Sequence, residues 1–295
     1  GSDWSKTRDP ATASRAVKEY LATLNDAAFG AATDVAPKFV SPSDPAAQWT
    51  GAMRGPAFFA YADNYLIDVK CGIIMDVEAS RAIRQAEVGA ARTMIDRTEH
   101  CFGLRPERLA GDTAYGSAEM LNWLVAERHI TPHIPVIDRS ARGDGTFARE
   151  DFRYNHDSDT YTCPAGKTLT TSGTLVNDGA TLLYRGSTLD CGTCQFKVRC
   201  CPNTPARKIP RSLHEGARDL ARSLVGTAAF EQSRRERKRV EMLFAHLKRI
   251  LKMGRLRLRG PKGAQDEFTL AAIAQNLRRL VKLVVHPPPV AACVA

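Results

Sequence analysis

The order of its β-rich and amphipathic segments most strongly limits the folds that this chain can adopt. Two β-rich runs, FFAYADNYLIDV at 58–69 and CGIIMDVEAS at 71–80, predict an antiparallel hairpin joined around Lys70 and Gly72. Strands that alternate with helices after such a hairpin predict an α/β fold, a mixed sheet flanked by helices. The segments that follow the hairpin are a helix over 84–100, a strand over 105–112 ending on Asp112, a helix over 117–128 starting at Ser117, and a strand over 131–138.

The second half of the chain changes character. Residues 139 to about 205 are rich in Gly, Asp, Thr and Cys, which indicates an inserted subdomain. Helices are predicted over 211–224, 228–252 and 266–285, and one more precedes the hairpin at 12–27. The predicted divisions are an N-terminal helix and loop (1–50), the first part of the α/β domain (51–138), a cysteine-rich insertion resembling a zinc ribbon (139–208), the second part of that domain with the Glu-bearing helix (209–285) and a tail (286–295).

Positive charge is concentrated in one part of the sequence. The net charge is +10, and residues 207–262 alone hold 17 Lys or Arg against 5 Asp or Glu. Such a concentration is typical of nucleic-acid binding, and a solvated basic helix is the alternative. No apolar run approaches the roughly 18 residues of a membrane span, and the N-terminus has no signal-peptide core. We therefore expect a cytoplasmic DNA-binding protein without membrane association.

An acidic residue, Glu241, lies inside the most basic segment, RRERKRVEMLFAHLK at 234–248. At 100° per residue, Arg234, Arg237, Glu241 and Lys248 share one stripe of a helix, beside an apolar arc. An i,i+4 surface ion pair between Arg237 and Glu241 is one interpretation. The other is a metal-binding carboxylate among cations that hold phosphates.

Asp112 is the second candidate acid. It ends a predicted strand in LAGDTAYGS, and ligands of open α/β sheets bind at the carboxyl ends of strands. Together with Glu241 it would supply the oxygen ligands that Mg²⁺ or Mn²⁺ prefers, leaving room for a substrate phosphate. A turn-forming role for Asp112 remains the alternative.

Five of the eight cysteines lie between 163 and 201. Cys163, Cys191, Cys194 and Cys200 would suit a tetrahedral structural Zn²⁺, with Cys201 as a possible replacement for Cys200. Because the spacing is irregular for a zinc ribbon, free thiols remain the alternative.

The sequence resembles the bacterial insertion-sequence transposases of the DDE type, which have a ribonuclease-H-like catalytic domain. Their second-acid motif is similar to AGDTAYGS, and RLRLRG and FTLAAIAQNLRRL also resemble the family. Their third-acid signature is Tyr, two residues, Arg, three residues, Glu, six residues, Lys. Arg237, Glu241 and Lys248 match it, whereas Arg234 replaces the tyrosine. The resemblance extends from about residue 14 to 283.

The resemblance implies metal-dependent cleavage of insertion-sequence ends and strand transfer to target DNA. It implies that Asp112 and Glu241 bind Mg²⁺ or Mn²⁺, and that the protein acts as a homodimer on DNA. The DNA-binding residues that it suggests, directly or as basic neighbours of the signature, are Arg234, Arg237, Lys238, Lys248, Arg255, Arg257 and Arg259.

The first acid of the family has no clear counterpart. The resemblance places it on a strand before the hairpin, in an Asp-Gly-Ser-like context that this sequence lacks. The favoured interpretation is that this strand and its acid lie upstream of residue 1 in a longer protein. Within the sequence, Asp44 is the first candidate and Asp68 is the second. The alternative functions are therefore a zinc-stabilised, catalytically inactive DNA-binding fragment and a ribonuclease-H-like nuclease; RLRLRG favours the transposase over the nuclease.

Overall fold

The computed structural model describes residues 39–51, 55–137 and 143–285, so the predicted helix at 12–27 and the tail at 286–295 lie outside the described residues. The strands are β1 (Gln48–Thr50), β2 (Phe58–Asp68), β3 (Ile73–Arg81), β4 (Arg108–Ala110), β5 (Thr131–His133), β6 (Arg153–Asn155), β7 (Thr160–Thr162), β8 (Thr168–Val176), β9 (Thr181–Arg185) and β10 (Lys208–Ser212). The helices are α1 (Arg84–Phe102), α2 (Ala118–Asn122, continued by a π-helical turn at Trp123–Glu127), α3 (Thr188–Gly192), α4 (Lys197–Cys200), α5 (Glu215–Leu224), α6 (Ala228–Arg249) and α7 (Gly260–Val285).

The described residues form two compact units. The first unit contains those up to Ala110 and from Gly226 onward, and the second unit contains Gly111–Val225. Both contain strands and helices, so the predicted α/β class is confirmed at that level. The strands β1–β2–β3 of the first unit and β10–β9–β8–β7–β6 of the second unit pair antiparallel, and the finer expectation of a ribonuclease-H-like mixed sheet stays a prediction.

The predicted hairpin organises the first unit. Strands β2 and β3 pair antiparallel from Tyr61 with Arg81 to Asp68 with Ile73, and β2 is the central strand of the sheet. The turn is closed by the Asp68 carboxylate, which accepts hydrogen bonds from the amides of Lys70 (3.0 Å) and Cys71 (3.2 Å). This confirms the hairpin and shows why an acid ends β2.

Helix α7 packs on one face of this sheet. Its residues Ala264, Phe268 and Ala272 are buried against apolar side chains of β3, namely Ile74, Val77 and Ala79. The amide side chains of Gln265 and Asn276 bind backbone groups along β3, including Ala79 N (2.7 Å) and Ile74 O (2.8 Å). These bonds satisfy an exposed strand edge, which would otherwise be a site for unwanted strand pairing.

Helix α1 packs on the opposite face. Its Arg97 bridges Asp76 (2.7 Å) and Glu78 (2.8 Å), which alternate along β3 with the side chains that contact α7. The helix ends at Gly103, which has φ of 65° and donates to Glu99 O (2.9 Å), a typical glycine C-cap. The predicted helix over 84–100 is therefore confirmed, and this sheet is flanked by helices on both faces.

The second unit contains a five-stranded antiparallel sheet in the order β10–β9–β8–β7–β6. Its core consists of Phe152, Tyr161, Leu169, Tyr184 and Ile209. The predicted helix over 211–224 begins only at Glu215, because residues 208–212 pair with β9 as an edge strand. Arg211 turns inward from this strand and lies 3.6 Å above the ring of Tyr154.

Helix boundaries elsewhere follow local capping. The hydroxyls of Ser117 and Thr227 accept the amides of Met120 and Phe230 at 3.2 Å, starting α2 and α6, and the Ser117 cap was predicted. Helix α6 ends at Arg249 rather than at the predicted residue 252. Helix α7 begins six residues before the predicted 266, at Gly260.

Candidate active site and cysteine cluster

Asp112 lies two residues beyond β4 rather than on it. Its carboxylate Oδ1 accepts a hydrogen bond from the amide of Ala114 (2.8 Å) and caps a short 3₁₀ turn. Asp112 therefore does form a turn, as the alternative interpretation expected. The side chain is nevertheless exposed, which leaves the carboxylate accessible to a ligand.

The glycines around Asp112 are required by close packing. A Cβ on Gly116 would lie 2.1 Å from the carbonyl oxygen of Pro135, and the Gly116 carbonyl accepts the amide of Ile137 (3.0 Å). A Cβ on Gly111 would lie 3.2 Å from the ring of Tyr115. The backbone that carries Asp112 is therefore held closely against the segment after β5.

Glu241 is an exposed residue of α6. Among the described side chains of this helix, the buried ones are Phe230, Ser233, Glu236 and Leu247, at the spacing expected of one helical face. Glu241 lies at the shoulder of that face, about 20° around the helix axis from Phe230, and its side chain reaches solvent.

The cations predicted to contact DNA are largely accessible. Arg237 is half-buried, and the exposed ones are Arg234, Lys238, Lys248, Arg255, Arg257 and Arg259. Arg234 forms an ion pair with Glu231 (3.1 Å), one turn earlier in α6. The exposed surface of α6 and the segment after it therefore combines one carboxylate with many cations, as the sequence suggested.

Glu236 is an acid that sequence reasoning did not single out. It is buried, its carboxylate accepts Arg108 Nη2 (2.9 Å) and Gln232 Nε2 (2.7 Å), and it ties α6 to β4. The alternation of Glu236 with neighbouring arginines gave no signal that it faces inward, because its partner lies 128 residues away in sequence. The bonds of Glu236 indicate a structural role.

Asp44, the first candidate within the sequence for the first acid, is engaged at both carboxylate oxygens. Oδ1 accepts the hydroxyl of Tyr61 (2.7 Å), and Oδ2 accepts the amide of Gly260 (3.0 Å) at the start of α7. Burial, followed by the hydrogen bond from Tyr61 to Asp44, raises the pKa of the tyrosine. Asp44 thus joins the chain before β1 to β2 and to the N-terminus of α7, and Asp68 closes the hairpin turn.

Asp63 is a further acid that the sequence analysis missed. It lies on the central strand β2, and burial raises its pKa to about 7 despite a hydrogen bond from Tyr65, which lowers it. Its Oδ1 is buried and has no hydrogen-bond partner among the described residues. The sequence did contain a signal: in a strand, Tyr61, Asp63 and Tyr65 are alternate residues and so lie on the same face. An acid between two aromatic residues on one face predicts a buried carboxylate.

A cavity of about 440 Å³ between the hairpin turn, α6 and α7 adds cations that were not predicted. Lys70, His246, Arg278 and Lys282 are among its lining residues. Arg278 contacts the His246 ring. Burial, then the charges of Arg278 and Lys282, lowers the pKa of His246, so the imidazole stays neutral at neutral pH.

The five clustered cysteines all line one small cavity of the second unit. They are free thiols. In the part of the chain that the structure describes, no three His, Cys, Asp or Glu side chains already stand in a metal-binding arrangement. The predicted zinc site therefore stays a prediction. The predicted Mg²⁺ site also stays a prediction, because Asp112 belongs to the second unit and Glu241 to the first.

Comparison with known protein families gives one match. Residues 162–281 match the model of a family described as a transposase DDE domain. The match supports a DDE-type transposase. The matched segment includes the cysteine cluster, Glu241 with its neighbouring cations, and most of α7, whereas Asp112 lies before it.

Other comparisons add no relatives. No curated protein and no solved structure matches the chain. None of its described helices has the combination of length and hydropathy that would let it cross a membrane.

Proposed function

We propose that this transposase cleaves the ends of an insertion sequence and joins them to target DNA in a metal-dependent reaction. The observation that carries the proposal is the exposed carboxylate of Glu241 on a cationic helix surface, inside the segment that matches a transposase DDE domain. DNA is the substrate class that this family implies, and an excess of cations is the charge that a phosphate backbone requires.

Asp112 and Glu241 are the residues that would hold Mg²⁺ or Mn²⁺. Both are exposed carboxylates, the hard oxygen ligands that these ions prefer. What a bound ion supplies is activation of a water or 3′-hydroxyl and stabilisation of the leaving oxygen. The proposal requires that the two carboxylates reach shared metal ions, as in a ribonuclease-H-like catalytic domain.

The chain's own cations position the DNA. Arg237 and Lys248 flank Glu241 on α6 and would hold phosphates next to the reacting bond. Arg255, Arg257 and Arg259 alternate along the segment before α7, where all three are exposed, and would extend the contact along the backbone. We expect a homodimer on DNA, because two transposon ends must be brought together.

The test is Mn²⁺-dependent cleavage of supercoiled plasmid DNA and of a duplex with a 3′-hydroxyl end. Glu241→Gln and Asp112→Asn should each lower the cleavage rate by at least about 10³-fold, because each removes a metal ligand while keeping side-chain volume. Glu231→Gln is the matched control, since this acid lies on the same helix and only pairs with Arg234. Cleavage that survives in Glu241→Gln would disprove the assignment.

A second candidate is a DNA-binding protein without catalysis. The observation in its favour is that Asp44 and Asp68, the two candidates for a first acid within the sequence, use their carboxylate oxygens in structural hydrogen bonds. Salt-sensitive DNA binding without Mn²⁺-dependent cleavage would support this candidate over the enzyme.

A further inference from the structure

The cysteine-rich part of the second unit brings together thiols that are distant in sequence. Five residues line a cavity of about 30 Å³: Cys163 from the turn between β7 and β8, Cys191 from α3, Cys194 after it, Cys200 from α4, and Cys201. Folding therefore converts an irregular sequence spacing into a single cluster of sulfur atoms, with room for a small ion.

Two of these thiols already have the backbone environment of a thiolate ligand. Cys163 Sγ accepts the amide of Lys167 (3.3 Å), and Cys194 Sγ accepts the amide of Phe196 (3.4 Å). Gly166, with φ of 75°, permits the tight turn at Cys163. These bonds fix the positions of the two sulfur atoms at the edge of the cavity.

The segment that carries four of the cysteines has little core of its own. Between residues 185 and 205 only Cys201 is buried, while Leu189 and Val198 are 84% and 77% exposed. Small elements that bury so little apolar surface usually need a disulfide or metal to stay ordered. The cysteines here are free, and a metal would tie α3 and α4 to the strand turn at Cys163.

Cations around the cavity would offset the charge of such a site. Four thiolates and one Zn²⁺ carry a net charge of about −2. Lys167, Lys197 and Arg207 line the same cavity, and Arg207 also holds α4 through its bond to Cys200 O (2.8 Å). Asp190 lines the cavity too and pairs with Lys167 (3.2 Å), so Lys197 and Arg207 are the cations that most directly offset the charge of a zinc–thiolate centre.

We propose that this cavity is a structural Zn²⁺ site with Cys163, Cys191, Cys194 and Cys200 as its ligands. Cys201 lies outside the set because Lys197 Nζ is 3.6 Å from its sulfur, and an ammonium and a divalent ion compete for the same thiolate. The four side chains must rotate into tetrahedral geometry, and each thiol releases its proton to solvent on binding.

The test is the zinc content of the full chain, purified from zinc-supplemented cells and measured by mass spectrometry of the metal. The wild type, Cys201→Ser and the control Cys101→Ser, whose thiol is exposed in α1, should each hold about one zinc per chain. Cys163→Ser and Cys194→Ser should hold about one tenth of that or less. A wild type without zinc, or loss of zinc in Cys201→Ser, would overturn the assigned site.

Ligand variants that fail to fold would still leave a decisive measurement on the wild type. X-ray absorption at the zinc edge should show four sulfur atoms at about 2.3 Å, and Co²⁺ substitution should give the absorption of a tetrahedral thiolate complex. A first shell with nitrogen or oxygen in place of sulfur, or cysteines recovered as disulfides without metal, would refute the proposal. Neither readout depends on DNA cleavage.

Discussion

A buried charge cluster in the second unit makes the most quantitative prediction of this structure. Glu215, the first residue of α5, is 1% exposed. Its Oε1 accepts Arg149 Nη1 (2.5 Å) and Arg222 Nη1 (2.8 Å), and its Oε2 accepts Arg218 Nη1 (2.9 Å). Burial alone would raise the pKa of Glu215, but the hydrogen bonds from Arg149 and Arg222 outweigh it and lower the pKa.

Replacing Glu215 by Gln keeps the volume and removes the charge that three arginines share. Breaking a buried ion pair by removing one partner costs about 3–5 kcal/mol, because an uncompensated charge stays buried. Typical domains have unfolding free energies of about 5–15 kcal/mol, so this single change should remove a third or more of the stability. Arg218 also donates to Ile137 O (2.6 Å), so the loss should spread to the segment after β5.

Urea unfolding followed by circular dichroism measures this cost, with Glu150→Gln as the control. Glu150 is exposed in the same unit, and its variant should stay within about 0.5 kcal/mol of the wild type. Because the folded pKa of Glu215 is lowered, its contribution is present above the unfolded pKa and is lost as pH falls through the folded pKa. A cost under about 1 kcal/mol at pH 7, or one that does not shrink in acid, would refute this reasoning.

Three further substitutions test other parts of the structure. Gly116→Ala, where an added Cβ would lie 2.1 Å from a carbonyl oxygen, should destabilise by about 1–3 kcal/mol in urea unfolding. Gly216→Ala in the first turn of α5, where a Cβ would meet open space, should be neutral or stabilising. Asp63→Asn should stabilise the fold by up to about 4 kcal/mol at pH 8 and by less at pH 5, because a buried carboxyl with a raised pKa costs stability as the pH rises towards that pKa. Equal stabilisation at the two pH values would contradict the raised pKa of Asp63. Lys248→Ala should lower the slope of DNA affinity against salt by about 1, measured by fluorescence anisotropy, and an unchanged slope would remove Lys248 from the interface.

Local patterns predicted the elements that depend on nearby residues. The alternation of side chains over 58–80 sufficed for the hairpin, because the register of two strands joined by a short turn is set locally. Helix α1 was predicted from the periodicity of its apolar residues. The start of α2 was predicted from the hydroxyl of Ser117, which caps it. The cationic stripe around Glu241 was readable for the same reason, since one helix fixes which residues share a face.

Features that depend on distant partners were not readable. The last two residues of β10 were predicted as the start of a helix, because the pairing of this strand with β9 and the inward turn of Arg211 depend on residues 23 or more positions away. Helix α7 starts early because Asp44, 216 residues before it, accepts the amide of Gly260. The clustering of five thiols likewise needed the fold of the second unit, although their residue type was a sufficient signal of a common site.

The environments of the acids separate structural from functional candidates. Asp44, Asp68 and Glu236 have carboxylate oxygens committed to an amide, hydroxyl or arginine, so neutralising them should act first on stability. Glu241 is exposed, and the exposed Asp112 commits only Oδ1, to the amide of Ala114 (2.8 Å), so their conversion to amides, which keeps an acceptor oxygen, costs the fold little. We therefore expect only the amide variants of Asp112 and Glu241 to lose metal-dependent activity without losing stability. If Asp44→Asn lost activity only in proportion to its unfolding, the role of first acid would have to be met from outside the residues described.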